Sequence, residues 1–277
     1  MGSSMSSEID KDIKIKAGFI QFNPVLGFPE KNIKVLSRLL NKAKGAELIV
    51  IPELANSGYN FKTRKQAFDL AEPVPDGEYV RFLVYQAKKF NLHIVSGVNE
   101  KDGDKLYNSA VLVGPGGFIG KYRKMHLFMN EFDFFEKGDS GFPVYEINDF
   151  KIGMLICFDW IFPEAWRIIA LQGADVICHP SNLVLPYAQQ AVPVHGMINR
   201  VFCITANRYG TERDITFSGQ SIISDPAGNT LYTASAARDE WVTMQIDIVP
   251  ARNKMITQRN HVFNDRRPEQ YNDLTIS

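Results

Sequence analysis

The chain has 277 residues, 45% of them hydrophobic, which is enough to bury a sizeable core. Its 31 basic and 31 acidic residues balance, so no net field favours nucleic acid or an anionic membrane as a partner. No apolar run approaches the roughly 18 residues of a membrane span, and the start of the chain lacks the apolar stretch of a secretory signal. Three scattered cysteines are too few for a disulfide framework, so we expect free thiols and a cytoplasmic location. Residues 1–4 are typical of an expression-vector remnant.

The first half of the chain alternates predicted strands and helices. Apolar side chains recur at every second residue from Ile13 to Phe19, as in a half-buried strand. From Glu30 to Lys44 they recur at every third or fourth residue, as on one face of a helix. The continuous apolar run from Leu48 to Ile51 predicts a strand buried on both faces. The remaining elements predicted here are a helix over 80–90 and strands over 93–97, 106–113 and 118–124.

A polar and aromatic loop from His126 to Gly141 leads into the second half. There the pattern predicts a strand from Ile152 to Cys157 and a helix that begins at Pro163. Further strands are predicted over 174–178, 203–206, 220–224 and 241–248, with a helical stretch between the first two. The alternation indicates an α/β layered fold, and the strand-rich stretches indicate antiparallel pairs within mixed sheets.

The end of the chain differs in composition. From about Ala251 to Ser277 it is rich in Asn and Arg and has few apolar residues, so it cannot bury itself. We expect this tail to lie across a neighbouring element or a subunit interface. Because there is no internal repeat and no low-complexity linker, the sequence predicts a single domain over residues 13–277 that includes the tail.

Three chemically useful side chains stand at the ends of predicted strands, where a rigid sheet can project them into a crevice: Glu53, Lys124 and Cys157. A cysteine attacks as the thiolate, so it needs a base or a cation beside it at neutral pH. Glu53 can be that base and Lys124 that cation. Attack on an amide carbon forms an oxyanion, which the lysine and the backbone N–H of Phe158 can stabilise.

Other classes of site use the same residue types. Cys157 could pair with His126, His179 or His195 in a cysteine–histidine dyad, and distance along the chain does not exclude this. The five histidines are dispersed and no phosphate-binding glycine motif occurs, so we expect no metal, no nucleotide and no other cofactor.

The remaining two cysteines, Cys178 and Cys203, lie inside apolar runs, and we expect them to be small core residues.

The local sequences around the three candidates are IPELANSGY, GKYRKMHLF and ICFDWIFPEAWR, followed by LQGADVICHPSN. In order, context and spacing they resemble the nitrilase superfamily, in particular its small archaeal and bacterial nitrilase-like amidases. The resemblance extends from the first strand to beyond Asn207. It implies a four-layer αββα sandwich and a triad of Glu53, Lys124 and Cys157. It also implies a homodimer or a higher homo-oligomer, paired through a helical face with exchanged C-terminal tails.

The resemblance further implies a second glutamate near the thiol. Glu131, in the loop LFMNEFDFF, is the candidate, and Glu136 is the alternative. Tyr59, Phe158 and Asn182, which lie within the matching motifs, are the expected substrate-binding residues.

Many nitrile-hydrolysing members of the family carry Cys-Trp-Glu at the nucleophile, whereas this chain carries Cys157, Phe158 and Asp159. This difference favours an amidase that releases ammonia from a small amide through a cysteine thioester. Hydrolysis of small aliphatic nitriles or dinitriles and hydrolysis of an N-carbamoyl substrate are the alternatives. A non-enzymatic binding protein is a further alternative, against which the intact triad argues.

Overall fold

The computed structural model describes residues 12–276, so the predicted vector remnant lies outside the described residues. The elements of the first half are β1 (Lys14–Gln21), α1 (Pro29–Lys42), β2 (Leu48–Ile51), α2 (Arg64–Asp69), α3 (Glu78–Phe90), β3 (His93–Asp102), β4 (Lys105–Gly114) and β5 (Gly117–Arg123). Those of the second half are β6 (Val144–Ile147), β7 (Phe150–Met154), α4 (Pro163–Leu171), β8 (Val176–Ser181), α5 (Ala188–Asn199), β9 (Phe202–Asn207), β10 (Tyr209–Glu212), β11 (Ile215–Ser218), β12 (Ile222–Ser224), β13 (Thr230–Thr233), β14 (Glu240–Asp247) and α6 (Val249–Arg252).

Two six-stranded mixed sheets form the centre of the fold. The first sheet has the order β14-β1-β2-β3-β4-β5, in which β1, β2 and β3 run parallel and the other neighbours antiparallel. The second has the order β13-β12-β9-β8-β7-β6, in which β7, β8 and β9 run parallel. The parallel strands of each sheet therefore lie at its middle, and their carboxyl ends are where side chains can converge on a site.

Each sheet is covered by helices on its outer face. Between the sheets lies an apolar layer to which both contribute, including Phe19 and Val50 from the first and Ile152 and Ile204 from the second. Apolar side chains of α1 and α3 cover the first sheet, and those of α4 and α5 cover the second. The predicted four-layer αββα sandwich with mixed sheets is confirmed.

The sequence pattern missed several short elements and misplaced some strand ends. The missed elements are α2, β6, β10, β11, β13 and α6. Most are only four residues long and several are partly exposed, so they carry too few apolar positions to show a period. The strand predicted to reach Cys157 ends at Met154, and the chain then enters a 3₁₀ turn over Cys157–Ile161. Among residues 12–276, no helix is long and apolar enough to cross a membrane.

Candidate active site

Glu53 lies two residues after the end of β2 and is fully buried. Its Oε1 accepts hydrogen bonds from Lys124 Nζ at 2.8 Å and from Asn108 Nδ2 at 2.7 Å. Its Oε2 is buried too, but has no hydrogen-bond partner among residues 12–276. A buried carboxylate oxygen without a partner is costly, and this oxygen is free to accept a hydrogen bond from an incoming group.

Lys124 follows β5, at the same end of the first sheet as Glu53, and is 1% exposed. Its Nζ also donates to Glu131 Oε1 at 2.7 Å. Burial lowers the pKa of Lys124, but the carboxylates of Glu131 and Glu53 outweigh that effect and hold the pKa above its ordinary value. The side chain is therefore a fixed positive charge within a dry site.

Glu131 lies in a 3₁₀ turn over Met129–Asp133 and is 3% exposed. Besides the bond from Lys124, its Oε1 accepts the hydroxyl of Tyr59 at 2.9 Å. Burial raises the pKa of Glu131 to about 7, against the opposing effect of Lys124. The alternative, Glu136, is exposed. Of the two predicted glutamates, only Glu131 has its carboxylate bonded to Lys124.

Cys157 comes from the second sheet, three residues after the end of β7, with a backbone φ of +43°. This left-handed conformation is uncommon for a residue other than glycine, and it is typical of strained turns at functional sites. Burial and Glu53 raise the pKa of the thiol well above its ordinary value, and Lys124 lowers it only in part. The resting thiol is therefore protonated and requires a base. The first sheet supplies Glu53 and Lys124 and the second supplies the thiol, so the site spans the two sheets.

Two neighbouring cavities lie beside these groups. The larger, of about 270 Å³, is lined by Tyr59 and Glu131 and by several apolar side chains. A narrow cleft of about 20 Å³ reaches Cys157 and is lined by Phe158 and Asn182. Phe128, Val184 and Leu185 line both cavities. The larger cavity can hold a small substrate, and the cleft gives its reacting end a route to the thiol.

The three predicted substrate-binding residues occupy different positions around these cavities. Tyr59 is fixed by its bond to Glu131, and Asn182 donates its side-chain amide to the backbone oxygen of Glu53 at 3.1 Å. The Asn182 side-chain oxygen has no partner among the described residues. The ring of Phe158 packs on Phe128 at a centroid distance of 4.9 Å. Their side chains bound the space next to Cys157 and Glu131.

The histidines considered as dyad partners make other contacts. His179 Nε2 lies 2.8 Å from the carbonyl oxygen of Cys157, so its hydrogen bond is to the backbone and not to the thiol. His126 Nδ1 bonds the carboxylate of Asp159 at 2.7 Å. His195 stacks on Trp166 with ring centroids 4.8 Å apart. None of these three contacts is to the thiol of Cys157.

Sequence reasoning missed three residues that support the site, namely Asn108, Tyr122 and Asp159. Asn108 binds Glu53, and Asp159 accepts hydrogen bonds from Tyr122 Oη and from the backbone N–H of Ile156, both at 2.8 Å. Asp159 thus connects the segment that carries Lys124 to the nucleophile turn. A polar side chain inside an apolar run, such as Asn108 in β4, is the signal that could have indicated the first of them.

Comparison with known proteins identifies the family. A family model described as carbon-nitrogen hydrolase matches residues 16–253. A nitrilase from Pyrococcus abyssi (strain GE5 / Orsay) is 48% identical over 259 residues, which cover 93% of this chain and 99% of that protein. An N-carbamoylputrescine amidase from Solanum lycopersicum is 30% identical over 271 residues, covering 88% and 89% of the two chains.

A solved structure agrees with these matches. The crystal structure of a carbon-nitrogen hydrolase from Helicobacter pylori G27 has a TM-score of 0.85 to this chain at 28% identity, with coverage of 95% of this chain and 99% of that one. The sequence and the fold therefore agree, and the chain belongs to the carbon-nitrogen hydrolase family, within the nitrilase superfamily, and is an enzyme of that class.

Proposed function

We propose that the protein hydrolyses small amides to the carboxylic acid and ammonia through a thioester on Cys157. The observation that carries the proposal is the buried pair of Glu53 and Lys124, whose free carboxylate oxygen and fixed ammonium lie beside a thiol that is protonated at rest. Such a thiol reacts only if a base removes its proton as it attacks.

In the proposed reaction, Glu53 Oε2 takes the thiol proton while the sulfur of Cys157 bonds to the amide carbon. Lys124 and the N–H of Phe158 stabilise the oxyanion. The carbon–nitrogen bond then breaks, Glu53 returns the proton to the nitrogen, and ammonia leaves. Glu53 next deprotonates a water molecule that attacks the thioester, and the acid is released with the thiol restored.

We assign substrate positioning to Glu131, which lines the larger cavity. Its bonds to Lys124 and Tyr59 hold it in one orientation, so it can receive the N–H of an amide without moving. The size and largely apolar walls of the cavity favour a short, compact substrate.

Nitrile hydrolysis is the second candidate, because the Pyrococcus abyssi relative that is 48% identical bears the name nitrilase. A nitrile adds the thiol to give a thioimidate, and one water converts this to the same thioester with release of ammonia. A carbamoyl substrate is the third candidate, since the Solanum lycopersicum relative is named N-carbamoylputrescine amidase. It would release carbon dioxide as well as ammonia.

One set of assays separates the three. The purified protein is incubated with matched short-chain probes, one amide, one nitrile and one N-carbamoyl amine, and ammonia, acid and carbon dioxide are measured. The proposal requires the highest kcat/KM with the amide. A higher value with the nitrile or with the carbamoyl probe would reassign the substrate. Ammonia release by Cys157→Ala would overturn the mechanism.

We also propose that the protein acts as a homodimer. On the outer side of the second sheet, helices α4 and α5 carry apolar side chains that are two-fifths to one-half exposed. These are Ile168, Leu171, Val194, Met197 and Ile198. A patch of this kind is typical of a surface that pairs with another copy. Residues 13–277 are proposed to form one domain, with the cytoplasm as its location and neither nucleic acid nor membrane as a partner.

A further inference from the structure

His179 makes an unusual contact with the nucleophile. It lies in β8, the neighbour of the strand that leads to Cys157, and is fully buried. Its Nε2 is 2.8 Å from the carbonyl oxygen of Cys157, and its Nδ1 is 3.0 Å from the hydroxyl oxygen of Thr205 on β9. Each of the two ring nitrogens therefore has a partner.

These partners determine where the imidazole carries its proton. A carbonyl oxygen can only accept a hydrogen bond, so Nε2 must be the protonated nitrogen that donates to Cys157. Burial lowers the pKa of His179 to about 4, so the ring is neutral at pH 7 and Nδ1 carries no proton. Thr205 then donates its hydroxyl to Nδ1, which fixes this tautomer.

The carbonyl held by His179 belongs to the peptide unit that also contains the N–H of Phe158. A peptide unit is planar, and in its trans form the N–H points away from the C=O. The two groups lie in one plane and point in opposite directions, so holding the C=O in one direction also holds the N–H in the opposite direction. A hydrogen bond to the carbonyl also polarises the amide and strengthens its N–H as a donor.

We infer that His179 is a positioning residue, which aims the Phe158 N–H at the forming oxyanion by holding the carbonyl oxygen of Cys157. The inference rests on the proposed thioester mechanism. It also explains how Cys157 keeps a positive φ, because the bond from His179 acts on the carbonyl of the strained residue itself.

The test compares His179→Leu, which cannot donate, with His179→Gln, whose side-chain N–H can extend toward the same carbonyl. Direct loss of an oxyanion donor costs about 10²–10³ in kcat, and misdirection of one is expected to cost about 10-fold or more. We expect this loss in kcat for His179→Leu with KM little changed, and partial recovery in His179→Gln. The rate at which iodoacetamide alkylates Cys157 should stay near that of the wild type, because alkylation forms no oxyanion.

Two results would overturn the inference. One is a wild-type kcat in folded His179→Leu. The other is a parallel loss of alkylation, which would mean that His179 acts on the thiol. If His179→Leu does not fold, Thr205→Val provides the second variant, with a smaller kcat loss expected because only the hydroxyl that fixes the tautomer is removed. Ser224→Ala, which removes a buried hydroxyl from β12 of the same sheet, is the matched control and should leave kcat unchanged.

A spectroscopic measurement separates this inference from the proposed function. The imidazole ¹⁵N spectrum of the wild-type protein should show His179 protonated at Nε2 and unprotonated at Nδ1 at neutral pH, whatever substrate the enzyme uses. A proton on Nδ1 would overturn the inference and leave the thioester mechanism standing. Absence of ammonia release from every probe would instead overturn the proposed function, with the spectrum still reporting the hydrogen bond.

Discussion

The ammonium of Lys124 lies 2.8 Å from Oε1 of Glu53, and neither side chain is exposed to solvent. Removing one partner of a buried ion pair leaves the other as an uncompensated charge, at a cost of about 3–5 kcal/mol in stability. Variants at either position therefore affect both the reaction rate and the stability of the fold. Rate and free energy of unfolding have to be measured on the same preparations.

Cys157→Ala is expected to abolish ammonia release and leave the fold intact, because one small side chain is lost from a turn. Cys178→Ala is the matched control, since that thiol is also buried but lies within strand β8. It should remain active. Mass spectrometry of protein trapped with substrate should place the acyl group on Cys157, and an adduct on Cys178 or Cys203 would contradict the assignment.

Lys124→Gln should lower kcat by about 10²–10³, which corresponds to about 2.7–4 kcal/mol of transition-state stabilisation, because the charge is needed most when the oxyanion forms. Lys121→Gln is the control, since Lys121 precedes Lys124 by three residues but pairs with Glu100. Its kcat should be near that of the wild type. A change confined to KM in Lys124→Gln would make Lys124 a substrate anchor.

Glu131→Gln should reduce acylation strongly while the thiol stays reactive, because the proposed role of the carboxylate is to hold the substrate. Burst-phase kinetics measure acylation, and alkylation by iodoacetamide measures the thiol. Glu136→Gln alters the exposed glutamate of the same loop and should leave both unchanged. If Glu131→Gln altered only the free energy of unfolding, Glu131 would be a structural residue.

The raised pKa of Glu131 predicts a pH dependence of stability. Its carboxyl has a pKa of about 7 in the folded protein and near about 4.3 in the unfolded chain. Between these values the folded state binds more protons, so the contribution of Glu131 to the free energy of unfolding is largest below the lower value and falls as the pH rises through the higher one. Glu131→Gln removes this titration.

Urea unfolding of both proteins at about pH 5 and about pH 8 provides the measurement. The stability of Glu131→Gln relative to the wild type should be higher at about pH 8 than at about pH 5. If the difference in free energy of unfolding between the two proteins were equal at both pH values, the pKa of Glu131 would not be raised in the folded protein.

The tail prediction concerns assembly. Residues 261–276 are mostly exposed and include none of the proposed catalytic groups. Deleting them should weaken the dimer and lower activity together, if the tail braces the partner copy. Size-exclusion chromatography with light scattering on the full and shortened chains measures this. An active full-length monomer would contradict the pairing, and an unchanged dimer of the shortened chain would contradict the role of the tail.

Much of this site could be predicted because its main groups follow strands that the sequence marks clearly. The apolar run that ends at Ile51 predicts a strand end next to Glu53. The predicted hairpin that follows β4 likewise places Lys124 at a strand end. The position of Glu131 was harder to predict, because the apolar residues of a loop do not recur at a regular spacing. Its place depends on bonds to Lys124 and Tyr59, which are 7 and 72 residues away in sequence.

The contacts of His179 and Asp159 could not be predicted from the local sequence. The bond of His179 to the Cys157 carbonyl depends on the register between β7 and β8 and on the positive φ of Cys157. The local composition of the sequence indicates neither of these. The same holds for Asp159, whose carboxylate connects two segments 37 residues apart in sequence.

The division of the site between two sheets links catalysis to their mutual alignment. Glu53 and Lys124 are attached to the first sheet and Cys157 to the second. The apolar layer between the sheets keeps the two sheets aligned. Because reacting atoms must meet within a fraction of an ångström, a slight slide of one sheet over the other would separate base from nucleophile while every strand ladder stayed intact. On warming, the enzyme should therefore lose activity before circular dichroism records any loss of secondary structure. Substitutions that improve packing in the apolar layer between the sheets should raise the temperature at which activity is lost.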